Sequence, residues 1–186
     1  MSTLKLVMAV SKDGFVSLGP DDDMLWTGPD DKRAFRLLTS VGGVLGAGSR
    51  TFRSLPRLKG RRVVCISTRK LMVPNDELRE VSKAPLQPHG VVSASAGYEE
   101  AMSLGMFSHR YPTGWLIGGQ TIAQEAISVG LVDQVFLSRA PIELHRSTLF
   151  DPRVAQPDLI SRMVSRWSRQ ERLSIGGTSV EVWRRK

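Results

Sequence analysis

Cysteine is nearly absent from this chain of 186 residues, since Cys65 is the only one. A single cysteine excludes an intramolecular disulfide and any zinc site built from cysteine pairs. Cys65 lies in the apolar run Val63–Ile66, which predicts a buried strand residue in a reducing compartment rather than a nucleophile. No apolar run approaches the roughly 20 residues that cross a membrane. Residues 1–8 have the pattern of a first strand, not of a secretion signal, and we expect a cytoplasmic protein.

Acidic residues are also scarce, with 18 Asp and Glu against 26 Lys and Arg, which gives a formal net charge of +8. This excess favours an anionic partner, such as a nucleotide cofactor, an acidic substrate or a nucleic acid. Aromatic residues are few (four Trp, two Tyr and six Phe), and they form no evident stacking platform for single-stranded nucleic acid. A basic structural or nucleic-acid-binding protein therefore stays open as an alternative, supported by charge alone.

Metal-ligand patterns are missing as well. His89, His109 and His145 lie far apart and show no paired spacing, so no metal site is predicted. The three aspartates at 21–23 could suggest a metal, but a solvated loop is the better interpretation. No serine stands in the context of a nucleophile elbow.

The chain alternates between strand-like and helix-like segments and has no internal repeat or linker. Short apolar or alternating runs predict strands at 4–10, 42–46, 62–67, 90–94, 114–117, 134–139, 163–173 and 177–183. Helical periodicity predicts helices at 29–40, 51–55, 75–81, 97–105 and 120–129. This alternation indicates one α/β domain over residues 1–186, with a central, mostly parallel, eight-stranded sheet and about four flanking helices. Gly176 and Gly177 predict a C-terminal antiparallel hairpin.

The predicted first helix starts at a proline followed by Asp30 and Asp31, which complement its positive end. Asp31 shares one helix face with Ala34, Phe35 and Leu38, and these apolar residues should face the sheet. A helix cap is one interpretation of Asp31. Because Asp30 can cap the helix alone, a carboxylate at the rim of an apolar stripe still needs an explanation.

Four segments resemble those of dihydrofolate reductases, in the same order and with matching spacing. They are Trp26–Phe35 (Trp, four residues, Asp, three residues, Phe), Gly48–Leu55 (Gly-x-x-Thr-aromatic-x-Ser), Leu58–Val64 (a Leu-Pro-Gly-Arg-like turn and a strand) and Trp115–Gly119 (an apolar strand ending in Ile-Gly-Gly). The resemblance spans about residues 4 to 150, and Phe52–Pro56 is similar to phage-encoded members.

This resemblance implies a dihydrofolate reductase-like fold and an oxidoreductase activity. The implied reaction reduces 7,8-dihydrofolate to 5,6,7,8-tetrahydrofolate with NADPH, by hydride transfer to pterin C6. It would support one-carbon metabolism and thymidylate synthesis and would be a target of antifolates. The implied protein is a cytoplasmic monomer whose partners are dihydrofolate and NADPH, with no membrane and no specific nucleic acid.

The resemblance assigns catalytic roles to Asp31, Trp26 and Ser138. An ionised Asp31 can accept two hydrogen bonds from the pterin ring and would favour protonation of N5, with the proton arriving through water. Ser138 matches a threonine that contacts the carboxylate and the pterin through water, although a strand hydroxyl bonded to backbone is an equal interpretation. Trp26 matches a tryptophan of the mobile loop beside the pterin, although packing alone could explain it.

The substrate residues follow in the same way. Arg61 matches the arginine that clamps the α-carboxylate of the glutamate tail, for which a planar guanidinium is suited. A surface arginine is the alternative. The other predicted substrate contacts are Met8, Ala9, Lys32, Phe35, Leu55, Leu58 and Ile117.

The cofactor residues surround two strand ends. Gly118 and Gly119 precede a helix whose N-terminus can bind a pyrophosphate, although such a pair is often only a turn. The adenosine 2′-phosphate would meet two hydroxyls and two cations, which favours NADPH over NADH; these residues are Ser49, Arg50, Thr68 and Arg69. The remaining predicted contacts are Ala9, Gly48, Thr51, Ser67, Ile117, Gln120, Thr121 and Ile122.

Some positions depart from the family pattern, and a second family shares part of it. The departures are Leu25, Lys32, Thr121 and Ala123, which put the rate and the inhibitor profile in doubt more than the reaction class. Ser11–Phe15 resembles the early strand and loop of pyrimidine reductases of riboflavin biosynthesis, which use the same scaffold. Asp31 and the segment Leu58–Arg61 favour a folate pocket instead, and no deaminase domain is attached.

Overall fold

The computed structural model describes residues 4–19, 22–40, 43–56, 58, 60–67 and 101–186. The strands are β1 (Leu4–Ser11), β2 (Phe15–Ser17), β3 (Leu45–Gly48), β4 (Val63–Ile66), β5 (Ala101–Met102), β6 (Trp115–Leu116), β7 (Val132–Ala140), β8 (Gln156–Pro157), β9 (Ser168–Ile175) and β10 (Thr178–Arg184). The α-helices are α1 (Gly28–Ser40), α2 (Ser49–Ser54), α3 (Leu104–Arg110), α4 (Gln120–Ser128) and α5 (Ile160–Val164), with 3-10 helices at Leu25–Thr27 and Leu144–Arg146. The strand predicted at 90–94 and the helix predicted at 75–81 lie outside the described residues.

Within the described residues, eight strands form one sheet in the order β5-β4-β3-β6-β1-β7-β10-β9. Every neighbouring pair from β5 to β7 is parallel, whereas β10 runs antiparallel to both β7 and β9. The predicted α/β class, the single mostly parallel sheet and its C-terminal hairpin are therefore confirmed.

Both faces of this sheet are covered, which explains why its central strands are apolar runs. On one face Leu4, Leu6 and Val10 of β1 pack with Ala123 and Ala126 of α4. The other face carries a second cluster beneath α1, made of Val7, Leu45, Ala47, Val63 and Trp115.

Helix α1 covers the second cluster with the face that the sequence predicts. Ala34 is buried, and Phe35 and Leu38 are half-buried against the cluster, whereas Arg33 and Arg36 on the opposite side are exposed. The helix therefore holds its first turn, with Asp30 and Asp31, at one edge of the sheet.

Two predicted elements are wrong at the residue level. The segment 163–173 was expected as one strand, but Ile160 and Val164, one helical turn apart and both fully buried, belong to α5. The strand that follows, β9, is an edge strand of mostly polar and charged residues, so its apolar pattern is weak. In the helix predicted at 97–105, residues 101–102 form β5 instead, and the described helix starts at Leu104, where the Ser103 hydroxyl accepts from the Met106 N–H at 3.2 Å.

Two polar clusters tie distant parts of the chain together. Asp13, after β1, accepts hydrogen bonds from the backbone N–H groups of Leu144 (3.0 Å) and His145 (2.9 Å). Burial raises the pKa of Asp13, but the hydrogen bond from the Ser11 hydroxyl, together with those from His145 and Leu144, prevails and holds it well below its usual range. On the sheet face opposite α1, the buried Glu181 pairs with Arg139 at 3.2 Å and with Arg172 at 3.0 Å.

Candidate active site

The carboxyl ends of four parallel strands meet at the edge where α1 begins. Ala9 of β1 lies beside Ser138 of β7 in the strand register. The Gly48 N–H donates to the Gly118 carbonyl at 2.8 Å, which joins the end of β3 to the turn after β6. In sheets of this type ligands bind outside the carboxyl ends of the strands, so we expect a ligand site at this edge.

Asp31 stands at this edge as a half-buried carboxyl. Burial raises its pKa, and the hydroxyls of Ser138 and Thr27 and the charge of Lys32 partly oppose that rise. A carboxyl that is partly withdrawn from water, yet faced by hydroxyl groups, can accept paired hydrogen bonds from a ligand. The structure thus places two predicted catalytic residues, Asp31 and Ser138, together.

Ser138 belongs to a buried pair of hydroxyls. Its exposed fraction is 4%, that of Thr178 is 8%, and the two hydroxyl oxygens lie 3.5 Å apart. Thr178 follows the Gly176–Gly177 turn and was not among the predicted site residues. A threonine after two glycines is typical of an ordinary hairpin, so the sequence carried no sign of this contact.

Trp26 lies in the 3-10 helix just before α1, and its orientation is set by Asp22. The indole N–H donates to the Asp22 carboxylate at 3.0 Å, and the same carboxylate accepts from the backbone N–H groups of Leu18 (2.7 Å) and Met24 (2.8 Å). The aspartates at 21–23 were expected in a solvated loop, but Asp22 instead organises the loop that carries Trp26. Asp21 lies outside the described residues.

Arg61 lies beside α1, where it contacts Phe35 and Thr39, about one and two helical turns after Asp31. Its Nη1 donates to the Thr39 hydroxyl at 2.8 Å, and its guanidinium carbon is 5.3 Å from the centre of the Phe35 ring. Burial lowers the pKa of Arg61, and the nearby charge of Arg36 adds to this effect. Within the described ranges neither arginine forms an ion pair with an acidic side chain. The local excess of positive charge suits an anionic group.

Half-buried apolar side chains pack beneath α1, the helix that carries Asp31 and contacts Arg61. The half-buried residues that pack on the second cluster here are Phe35, Leu55, Leu58 and Ile117. Half-buried apolar walls with a few polar groups are typical of small-molecule sites. Two other predicted substrate residues differ: the Met8 side chain packs with the cluster on the opposite face, and Lys32 is exposed.

Three glycines, Gly48, Gly118 and Gly119, lie between the end of β3 and the start of α4, and we call them the glycine cradle. A Cβ atom at Gly48 would lie 3.0 Å from Cγ1 of Ile122, and one at Gly119 would lie 3.1 Å from Oγ1 of Thr51. The Gly118–Gly119 peptide is cis, and Gly118 has a φ of +118°. Helix α4 begins here without a side-chain cap, so its first N–H groups are available to an anion.

The remaining predicted cofactor residues surround this cradle. Ser49 is half-buried, Arg50 and Thr121 are exposed, and the Ser67 N–H donates to the Met102 carbonyl at 3.0 Å. The Gln120 side chain accepts from the Leu159 N–H at 3.2 Å and is thus engaged by another part of the chain. Thr68 and Arg69 lie outside the described residues. An extended phosphate-containing ligand fits a glycine-lined cradle with a helix N-terminus and a nearby arginine.

Neither a cluster of metal ligands nor a membrane-spanning helix occurs in the described part of the chain. It contains no group of three or more His, Cys, Asp or Glu side chains that could hold a metal ion. None of its helices has the length and apolar character required to span a bilayer.

The mostly parallel sheet with helices on both faces, and the polar and glycine-rich residues at the carboxyl ends of its strands, define an α/β scaffold with a candidate ligand site. A family model for dihydrofolate reductase matches residues 3–156, and the chain therefore belongs to the dihydrofolate reductase family. No curated protein sequence matches it. Among solved structures it is similar to a protein described as a riboflavin biosynthesis protein from Shewanella sp. PV-4, with a TM-score of 0.57 and 16% identity, over 100% of this chain and 99% of the other. At that identity the likeness shows the fold alone.

Proposed function

We propose that this protein is a dihydrofolate reductase, which reduces 7,8-dihydrofolate to 5,6,7,8-tetrahydrofolate with NADPH. The observation that carries the proposal is the half-buried Asp31 on α1, with the Ser138 hydroxyl acting on its carboxyl, apolar side chains beneath the same helix, and Arg61 bonded to Thr39 further along that helix. This order of carboxylate, apolar wall and cation corresponds to the pterin ring, the aromatic ring and the acidic tail of a folate. In the cell such an enzyme would be a cytoplasmic monomer that serves one-carbon metabolism and thymidylate synthesis.

Asp31 would bind and orient the pterin. Its two oxygens accept hydrogen bonds from the adjacent ring N–H and amino group, and its negative charge favours protonation of the ring nitrogen N5. Because burial raises the pKa of Asp31, its carboxylate is less stable alone than when it holds a positive or hydrogen-bonding ligand. Ser138 assists by donating to the same carboxylate.

The glycine cradle would hold the cofactor. Gly48, Gly118 and Gly119 would allow the backbone to approach the pyrophosphate, and Ser49 and Arg50 would contact the 2′-phosphate. NADPH, when bound, supplies the hydride that is transferred to the pterin. Trp26, fixed by Asp22, and Ile117 would shield the ring from water on the side of the loop.

A pyrimidine reductase of riboflavin biosynthesis is the second candidate. It is favoured by the similarity in fold to the Shewanella protein and by the loop after β1, where Ser11 donates to Asp13 at 2.6 Å. The resemblance of Asp31 and of the segment Leu58–Arg61 to a folate pocket favours the folate reaction instead. A third candidate, a basic nucleic-acid-binding protein, is supported only by the net charge of +8.

A turnover assay separates the three. The purified protein is mixed with NADPH and either dihydrofolate or the ribosylated aminopyrimidine phosphate, and loss of the reduced-nicotinamide absorbance is followed. We expect loss with dihydrofolate alone. Turnover of only the pyrimidine supports the second candidate, and no turnover of either, combined with submicromolar binding of DNA or RNA, supports the third.

A further inference from the structure

Thr178 joins two parts of the site that are distant in sequence. It begins β10 directly after the Gly176–Gly177 turn, and its buried hydroxyl lies 3.5 Å from that of Ser138 on β7. Ser138 in turn faces Asp31 on α1. Three elements of the fold thus contribute to one row of polar groups: a threonine, a serine and a carboxyl.

The place of Thr178 in this row is set by the turn before it. A Cβ atom at Gly177 would lie 2.7 Å from the Asp30 carboxyl carbon, and one at Gly176 would lie 2.8 Å from the Ala34 nitrogen. Both glycines also have a positive φ (+63° and +98°), which other residues rarely adopt. Since the turn packs directly on the first turns of α1, Thr178 is held at a fixed distance from the helix that carries Asp31.

The direction of the hydrogen bonds follows from what each group can donate. An ionised carboxylate only accepts, whereas a hydroxyl has one hydrogen to donate and can accept as well. When Asp31 is ionised, the Ser138 hydrogen points to it, and Ser138 can then accept from Thr178. Hydrogen bonds in such a chain polarise and strengthen one another. Without the Thr178 hydroxyl, Ser138 would lose its own donor and could turn more freely.

We propose that Thr178 is a positioning residue of this site, whose hydroxyl holds Ser138 in the orientation that donates to Asp31. This inference rests on the proposed function for the part that concerns turnover, but the orientation of Ser138 can be tested without substrate. Of the charged side chains in the described ranges, Lys32 is the one that changes the pKa of Asp31. The other groups that act on this carboxyl are the hydroxyls of Ser138 on β7 and Thr27 in the 3-10 helix, and Thr178 on β10 contacts Ser138.

The first experiment measures the titration of the Asp31 carboxyl by carbon-13 NMR in the unliganded protein, with the signal assigned from Asp31→Asn. Thr178→Val removes the hydroxyl and keeps the shape, while Thr178→Ser keeps the hydroxyl and removes a methyl group. Losing a polarising neighbour weakens a charge-assisted bond by roughly 10–30%, which corresponds to an upward pKa shift of about 0.1 to 0.7 units. We expect such a shift in Thr178→Val and the wild-type titration in Thr178→Ser.

The second experiment follows the pH profile of dihydrofolate reduction. The limb that depends on Asp31 should move to higher pH in Thr178→Val and return in Thr178→Ser. Ser174→Ala, an exposed change on the other strand of the hairpin, is the matched control and should leave the profile unaltered. If Thr178→Val does not fold, Thr178→Ala carries the same prediction, because it only removes atoms.

The outcomes separate the two proposals. If Thr178→Val titrates like the wild type, or if the Val and Ser variants shift equally, the hydroxyl does not orient Ser138 and the inference is wrong. A wild-type protein that never reduces dihydrofolate would contradict the proposed function, yet the NMR comparison would still decide the role of Thr178.

Discussion

Arg61 donates from Nη1 to the hydroxyl of Thr39 at 2.8 Å, and Thr39 donates to the backbone carbonyl of Phe35 at 2.7 Å. The guanidinium is therefore anchored on α1 by one of its five N–H groups. The others can meet a carboxylate with a fixed fork geometry, which a lysine in this place could not offer.

The first prediction concerns this anchored fork. Arg61→Lys keeps the charge but loses one charge-assisted hydrogen bond, which costs roughly 1.5–3 kcal/mol or about 10 to 150 fold in affinity. We expect the KM for dihydrofolate to rise by about that factor, with little change in the KM for NADPH or for a pteridine without a glutamate tail. Steady-state kinetics with both substrates measure this, and Arg33→Lys, an exposed change on α1, is the control. Equal damage with both pteridines would show that Arg61 is structural.

The second prediction concerns turnover by Asp31. Asp31→Asn keeps the shape of the side chain but loses the charge that favours protonation of N5. We expect the rate at neutral pH to fall by about 10² to 10⁴ fold, and by less at acid pH, where the substrate can be protonated from water. A pH series of kcat checks this, and a variant as active as the wild type at pH 7 would remove Asp31 from the mechanism.

The third prediction concerns stability at the same residue. Since burial raises the pKa of Asp31 above its ordinary value of 3.8, its ionised form opposes folding at neutral pH. Asp31→Asn should therefore increase the free energy of unfolding at pH 7 by about 0.5–2 kcal/mol. Below the ordinary value the carboxyl is neutral in both states, and the gain should disappear. Urea unfolding at pH 7 and near pH 3 measures both, and a loss of stability at pH 7 would be inconsistent with this account.

The fourth prediction concerns cofactor choice. One charge-assisted bond from Arg50 to the 2′-phosphate predicts a preference for NADPH over NADH of at least about tenfold. Arg50→Gln should reduce that preference by raising the KM for NADPH while leaving the KM for NADH nearly constant. Arg53→Gln, an exposed change on the same short helix, serves as the control. Equal KM values for the two cofactors in the wild type would exclude a 2′-phosphate site.

The fifth prediction concerns the ion pairs behind the sheet. Burial raises the pKa of Glu181, but Arg139 and Arg172 outweigh that effect and lower it. Their contribution to stability is thus present above the ordinary value of 4.5 and is lost as the pH falls through the lowered one. Because both arginines are partly exposed, we expect Glu181→Gln to cost about 1–3 kcal/mol at pH 7 and less in acid. Thermal unfolding checks this against the exposed Glu171→Gln, and two equal effects would count against the pairing.

Much of the scaffold could be predicted because it depends on local patterns. The buried strands are short apolar runs, and α1 shows its inner face by the spacing of Ala34, Phe35 and Leu38. Asp31 was found in the same way, as a charge that its helix position did not explain. The predicted bounds of the edge strand β9 were wrong because most of its side chains are exposed and polar, so they do not show the alternating apolar pattern of a strand.

The contacts that orient the site could not be predicted, because they join residues far apart in the chain. Ser138 and Thr178 meet only through the antiparallel pairing of β7 and β10. Asp22 has the sequence context of a solvated acidic loop, yet the fold of that loop returns its carboxylate to the indole of Trp26. Patterns in sequence show which face is buried, but not which two polar groups lie across it.

The tip of a surface hairpin is usually where a protein tolerates inserted residues, fused tags or a proteolytic cut. The Gly176–Gly177 turn is an exception, because its backbone lies against Asp30 and Ala34 with no room for a side chain. Protein engineers who attach a label to this turn should expect to displace the first turn of α1 and, with it, Asp31. A label is better placed on the turn after α4, where Val129 is exposed at the end of a helix that packs on the sheet face opposite α1.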